Sequence, residues 1–457
     1  MSRRMNRRGF LRTLGGSAGV VLLAGGSART YAANEKLHIA HVGCGGRGHE
    51  LIGGFSRAGN IVAMCDVNSS RAKQTYDQFP DVPKFVDFRV MLDKMRDQID
   101  AVVVATPDHT HAVATAAAMH AGKGVYCEKP LTRTVGESRA IRALARKQKV
   151  ATSMGNQGTA AGPFRRALEL IRAGAIGPVN EVHTWNDQGG PGHAKPPEGT
   201  RGVPDWLQWD LWLGPAAYRT YHPPWLHWSG WRDFGTGNLG NWASHTQNLA
   251  FMALKVDSLW YAGPAGKPRI VVEAKADAIN TLAYPRWEYV RWDIPARGEM
   301  PPVSFHWHNG SRRPGMRAQV EAILGRELDW GDKGAKKWAD WSGCLIVGTD
   351  GKIHTNGHNT VLNMLPADKF KDVEKDRPQK VDPSAGHERD WLNACRGGKP
   401  AWAHFDYSGP LTEFNMLGNV ATQFAGKLEY DPLAGKIVNN DRADKLIMPE
   451  YRKGWSL

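Results

Sequence analysis

Cysteine is scarce and unpatterned in this sequence, with five residues among 457. Their number is odd and none forms a Cys-x-x-Cys pair, so Cys44, Cys65, Cys127, Cys344 and Cys395 make neither a disulfide framework nor a metal knuckle. Three of them end apolar runs, where a thiol behaves as a small buried hydrophobe. Tryptophan is missing from everything before Trp185, although the chain has 18. That asymmetry argues for two domains with different tasks. Long Lys/Arg runs are missing as well. The formal charge is +14, but Arg3, Arg4, Arg7, Arg8, Arg12 and Arg29 fall in the first 33 positions, which carry no acid. The remaining excess is dispersed, which is not the footprint of a nucleic-acid partner. Internal repeats and long low-complexity stretches are also absent. At 41% hydrophobic and 23% charged the composition is that of an ordinary soluble protein with room for two cores.

Residues 1–33 read as an export signal. Asn6-Arg7-Arg8-Gly9-Phe10-Leu11-Arg12 resembles the twin-arginine consensus, and the stretch from Thr13 to Ala28 is too short and too glycine-rich for a stable membrane span. Cleavage is expected after Ala32 or Ala33, and no Cys stands near that boundary to take a lipid. The expectation is a periplasmic protein without stable membrane insertion. Residues 34–155 are then expected to form one domain and 156–457 a second.

The first of these alternates short apolar runs with helical stretches. The runs are Leu37 to Val42, Ile61 to Cys65, Ala101 to Ala105, Val125 to Cys127 and Val150 to Met154. Apolar strands separated by helices predict an α/β domain with a parallel sheet covered on both faces. Beyond Pro178 the runs Ile270 to Ala274, Trp287 to Trp292 and Val303 to Trp307 are β-branched and aromatic, with shorter connections. They predict a large, mostly antiparallel open sheet.

Gly43-Cys44-Gly45-Gly46-Arg47-Gly48 follows the first run directly and opens a helix. There the glycines permit a tight turn and a helix N-terminus holds a pyrophosphate. With 51 glycines in the chain, chance alone yields G-x-G-x-x-G roughly 0.6 times, so context has to decide. Gly235-Thr236-Gly237-Asn238-Leu239-Gly240 also matches, but it follows a Trp-rich loop and is read as a flexible entry to a helix. Only the first match has an acid ending the next strand. That acid is Asp66, placed to accept hydrogen bonds from the adenosine ribose and to repel a 2′-phosphate, which favours NAD over NADP. The alternative is a strand-end cap, a part open also to Asn68 or Ser69.

Two segments stand at further strand ends, Ala105-Thr106-Pro107-Asp108-His109-Thr110-His111 and Cys127-Glu128-Lys129-Pro130. Together with GCGGRG and Asp66 they resemble the Gfo/Idh/MocA oxidoreductases. Trp209 to Gly214, Trp231 to His245, Asp406 to Thr412 and Glu450 to Trp455 resemble an exported subgroup of them. The resemblance implies a Rossmann domain holding a nicotinamide dinucleotide, and a C-terminal α/β domain whose sheet serves substrate or a homo-oligomer interface. It implies that Gly43, Gly45, Arg47 and Gly48 face the pyrophosphate and Asp66 the ribose. Thr106, Pro107 and His109 would line the cleft, with Glu128 and Lys129 beside the nicotinamide ribose. No metal is expected, because His109 and His111 lack a third ligand at supporting spacing.

Lys129 offers a movable point charge for a substrate oxygen. The family places a carboxylate four residues before a histidine, and here that pair is Asn241 and His245. An amide orients an imidazole but does not neutralise its charge. Seven tryptophans lie from Trp206 to Trp242. Trp206, Trp209 and Trp212 recur at helix-core spacing, while Trp231, Arg232, Trp242 and His245 are expected to contact substrate. The implied activity is hydride transfer between NAD and a carbohydrate or polyol. Two other readings stand beside it: an NAD-dependent glycosidase working by oxidation, elimination, water addition and re-reduction, and a carbohydrate-binding protein that kept the fold without the chemistry.

Overall fold

The computed structural model describes residues 36–192, 195–262, 268–332 and 340–457. The export signal expected at residues 1–33 lies outside them. Among the described residues no helix is long and apolar enough to cross a membrane.

The first sheet is built from β1 (His38–Val42), β2 (Asn60–Cys65), β3 (Lys84–Phe85), β4 (Ala101–Val104), β5 (Gly124–Cys127) and β6 (Thr152–Met154). All pairings are parallel, in the order β3-β2-β1-β4-β5-β6. β4 and β5 are buried along their whole length, as unbroken apolar runs require when helices cover both faces. Strand order reverses between β1 and β4, and the crevice at their carboxyl ends is where such sheets take ligands.

The second sheet has nine strands. They are β7 (Val179–Asn186), β8 (Ile270–Ala276), β9 (Glu288–Ile294), β10 (Val303–Asn309), β11 (Ser342–Gly348), β12 (Lys352–Asn356), β13 (Asn363–Leu365), β14 (Leu428–Asp431) and β15 (Lys436–Ile437). Their order is β13-β12-β11-β7-β10-β9-β8-β14-β15, antiparallel except where β7 and β10 run together. On β9 and β10 buried residues alternate with more exposed ones. Val290, Trp292, Phe305 and Trp307 form the inner face, packed on the helix Phe405–Ala421. Trp292 stacks on Phe414 at 4.7 Å and donates from Nε1 to its carbonyl at 3.1 Å.

The chain does not divide as cleanly as a boundary at 155 implies. Trp391 and Leu392, on the helix His387–Cys395, belong to the same apolar cluster as Leu37, Ile39, Phe55, Val103 and Tyr126. Trp391 meets Phe55 edge-on at 5.5 Å and Tyr126 at 5.7 Å. A helix from the far end of the chain therefore closes one face of the nucleotide-binding sheet.

Glu288 is buried where β9 begins and accepts hydrogen bonds from Trp307 Nε1 at 3.0 Å and Asn309 Nδ2 at 3.3 Å. Burial pushes its carboxyl up to about 7. Folding is therefore favoured by the protonated form, and that contribution is lost as pH rises from the ordinary carboxyl range through 7. We expect Glu288→Gln to flatten the fall in stability between roughly pH 4.5 and 7, a difference on the order of 1–3 kcal/mol at pH 8. Urea denaturation of both proteins at three pH values measures it.

Candidate active site

At the carboxyl ends of β1 and β4 lies a cleft of about 550 Å³. Its floor is the glycine turn. A Cβ at Gly43, where φ is +90°, would lie 2.4 Å from the Ala105 carbonyl oxygen, and one at Gly48 would lie 2.2 Å from the Gly43 carbonyl oxygen. Gly48 is thus the contact that lets the helix Arg47–Phe55 close onto the turn, and it does not line the cleft, contrary to the expectation from the motif. No side chain caps that helix. An uncapped N-terminus presents N–H groups and a positive dipole end to an anion.

Asp66 holds the turn from the other side, its Oδ2 accepting from Cys44 N at 2.8 Å and its Oδ1 from Asn68 N at 2.8 Å. Asn68 supplies the helix cap, accepting from Arg71 N at 2.9 Å. The carboxylate keeps further acceptor positions and lines the cleft. Burial raises its pKa, and the two N–H groups oppose that. Thr106, Pro107, Glu128, Lys129 and Asn241 line the same space. Arg47 also lines the cleft, its side chain bonding Glu128 Oε1 at 3.1 Å and Glu50 Oε2 at 2.7 Å.

The roof comes from the second domain. Residues 205–230 cross back over the nucleotide cleft, Ser69 N donating to the Trp206 carbonyl and Gln208 N to the Val67 carbonyl, each at 2.9 Å. Arg452 fastens the same segment from behind, bonding the Gly214 carbonyl at 3.1 Å and the Asp210 carbonyl at 2.8 Å. Trp206, Trp212 and Trp228 face the cleft. The sequence reading placed the first two in a helix core; Trp206 stands ahead of the helix, which begins at Trp209, while Trp212 lies within it, buried and stacked on Trp209 at 4.9 Å.

Several expected contacts prove to be framework. His109 is fully buried, with Nε2 at 2.8 Å from the Trp212 carbonyl and Nδ1 at 3.2 Å from that of Phe234. It ties the helix Asp108–His120 to the roof and is absent from the cleft wall. Trp231 is 1% exposed, packs on Trp225 and donates to the Pro224 carbonyl at 2.9 Å. Arg232 is likewise buried, bonded to the carbonyls of Asn280 at 2.7 Å, Ala283 at 3.2 Å and Asn419 at 3.1 Å and to Thr422 Oγ1 at 2.9 Å. Neither reaches the cleft, because Trp-rich loop spacing does not say which side a loop turns inward.

Lys129, at the end of β5, is half-buried and donates from Nζ to Asn241 Oδ1. Asn241 sits in a π-helical turn, Leu239–Ala243, followed by Ser244–Thr246 in α form. Such wide turns concentrate at functional sites. The lysine thus takes the amide acceptor that the motif assigned to His245. Burial lowers the Lys129 pKa, with Glu128 and Asp108 opposing. His245 lies beyond, buried, and its pKa is held well below the ordinary value by burial and then by Lys129, His358 and Arg47. His358, in the turn after β12, rests against it at 4.6 Å. Trp341, just ahead of β11, meets Trp242 at 4.6 Å. The sequence reading passed over His358 and Trp341, since neither stands in a local pattern.

His111 is held between two backbone carbonyls. Its Nδ1 lies 2.8 Å from the Pro130 carbonyl and its Nε2 2.9 Å from that of Thr106. Burial lowers its pKa, but Cys127 and Asp108 outweigh that and lift it to about 10. Among the described residues no cluster of His, Cys, Asp and Glu could hold a metal.

Residues 37–156 match the model of an oxidoreductase family with an NAD-binding Rossmann fold, Gfo/Idh/MocA. The nucleotide-binding domain of this chain belongs to that family. An inositol 2-dehydrogenase of Saccharopolyspora erythraea is 33% identical over 141 residues, 29% of this chain and 39% of that protein. The chain thus spans about two fifths of that relative's length. The fold is shared more widely. The WlbA dehydrogenase of Bordetella pertussis, solved with NADH and UDP-GlcNAcA, superposes with a TM-score of 0.55 at 15% identity, over 86% of this chain and 98% of that one. An aldose-aldose oxidoreductase of Caulobacter crescentus, solved with glycerol, gives 0.53 at 16% identity, over 86% and 99%.

Two glycines on one helix separate packing from propensity. At Gly53 a Cβ meets nothing within 4 Å, so Gly53→Ala should stabilise by about 0.5–1 kcal/mol. Gly48→Ala forces the helix off the turn and should cost on the order of 2–4 kcal/mol. Thermal denaturation of the two variants beside the parent protein checks both signs.

Proposed function

We propose that this chain is an exported, periplasmic oxidoreductase that retains NAD and acts on a carbohydrate or polyol. One observation carries the reading: a half-buried lysine of the nucleotide domain is held by an amide of the second domain at the mouth of a glycine-floored cleft. The residues present fit a dinucleotide, with an uncapped helix N-terminus for the pyrophosphate and a partly satisfied carboxylate for the ribose. Asp66 favours NAD over NADP. When bound, NAD supplies the hydride acceptor.

The protein's own part is to hold the carbinol and manage its proton. Lys129 Nζ gives one N–H to Asn241 and burial lowers its pKa, which suits it to hold the carbinol oxygen and to take the hydroxyl proton. Asn241, being neutral, fixes the amine without stabilising its ammonium. His245, kept unprotonated by its surroundings, is the second acceptor. The partner is a small-molecule sugar or glycoside, bound by a homo-oligomer.

The roof of residues 205–230 favours a second reading, the glycosidase. A cofactor enclosed in this way suits a net hydrolysis in which hydride taken from the sugar returns to it. Aryl glycosides with substoichiometric NAD separate the two: phenol released over many turnovers marks hydrolysis, and accumulating NADH marks dehydrogenation.

Protein purified after native export and then unfolded is expected to release close to one equivalent of NAD. Release of no nicotinamide dinucleotide, together with no binding of added NAD, defeats the proposal. Asn241→Asp places a carboxylate against Lys129 and near His245. The acidic limb of the pH profile of kcat should then move up by about one pH unit. An unmoved limb would mean that neither group is the titrating base.

A further inference from the structure

Past Lys129, rings from three distant segments meet. Trp242 lies edge-on to Trp341 at 4.6 Å and 82°, and to His358 at 5.4 Å and 70°. His358 tilts against His245 at 4.6 Å. Trp242 and Trp341 are half-buried and His358 is exposed, so the cluster is a shelf rather than a core.

The shelf is held from beneath. Asn359, at φ +56°, accepts from Leu249 N at 3.2 Å and donates to the Thr246 carbonyl at 3.4 Å, locking the His358 turn to the segment that carries His245. The Trp341 carbonyl accepts from Asp187 N at 2.7 Å. Three polar groups at this end have no partner in the protein: Asn186 Nδ2, Ser342 Oγ and Trp242 Nε1. Asn186 and Ser342 face each other across β7 and β11, and both are buried. Buried donors are rarely left unpaired without a ligand or ordered water to take them.

Resting on the carbohydrate reading above, we infer that this shelf is a second sugar subsite, so that the ligand is a disaccharide or larger glycoside rather than a free monosaccharide. The reacting ring lies between Lys129 and His245. Trp341 and His358 stand one ring further out, and their faces take the apolar face of the next pyranose. Accessible aromatic faces in the neighbourhood of unpaired polar groups suit a ring with one C–H face and hydroxyls on its edge. An aliphatic partner would leave those polar groups unanswered.

The test is binding, read by saturation-transfer NMR on the NAD-loaded protein with maltose, cellobiose, lactose and their component monosaccharides. At least one disaccharide should bind about tenfold more tightly than its monosaccharides, with transfer to both rings. Trp341→Ala should remove that advantage and the transfer to the outer ring, Trp341→Phe should restore most of it, and NAD content should stay at the parent level. Equal affinity for mono- and disaccharides, or an advantage that survives Trp341→Ala, overturns the subsite. Disaccharide binding that depends on Trp341 without any cofactor reduction upholds the subsite and counts against the oxidoreductase.

Discussion

The contact between Lys129 and Asn241 joins the end of β5 in one domain to a π-helical turn over the sheet of the other. The lysine is fixed on one side by the nucleotide sheet, whose register is set by fully buried strands, and on the other by an amide that carries no charge. A carboxylate at that point would stabilise the ammonium. With the amide neutral, burial sets how readily Lys129 gives up a proton, Glu128 and Asp108 opposing it and Arg47 adding to it.

Around this contact the two halves of the site follow different physics. The nucleotide cleft is made of backbone: a turn that excludes side chains at Gly43 and Gly48, and a carboxylate that pins two N–H groups. Such a surface is rigid because each piece is sterically or electrostatically over-determined. The outer half is made of rings and unpaired polar atoms at the ends of β7 and β11, in a helical turn and in the turn after β12, which the second sheet brings together. That half is the one open to variation without loss of the fold.

This division explains what the sequence made legible. The glycine turn, Asp66 and the strand-end segments were readable because their meaning is local: a strand, a turn and an acid at fixed spacing. The parallel sheet and the change to antiparallel strands followed from hydrophobic periodicity. Trp231 and Arg232 were misread because composition identifies an aromatic loop but not the side it buries, and Arg232 spends its guanidinium on carbonyls. His109 was misread because a strand-end position does not say that both ring nitrogens meet carbonyls of another segment. His358, Trp341 and Asn186 were invisible for a different reason. Pairing of β7 with β11 and of β11 with β12 assembles them from separate stretches, and no local pattern marks them.

The helix His387–Cys395 also sets an order of events during synthesis. Its Trp391 completes the cluster formed by Leu37, Phe55 and Tyr126. A ribosome that has released the whole parallel sheet has therefore still not released Trp391, which completes on one of its faces the cluster that Leu51 and Phe55 of the helix Arg47–Phe55 begin. Until more than two hundred further residues emerge, that cluster lacks its last large ring. The nucleotide domain thus borrows part of its packing from the C-terminal region, and that part is laid down late.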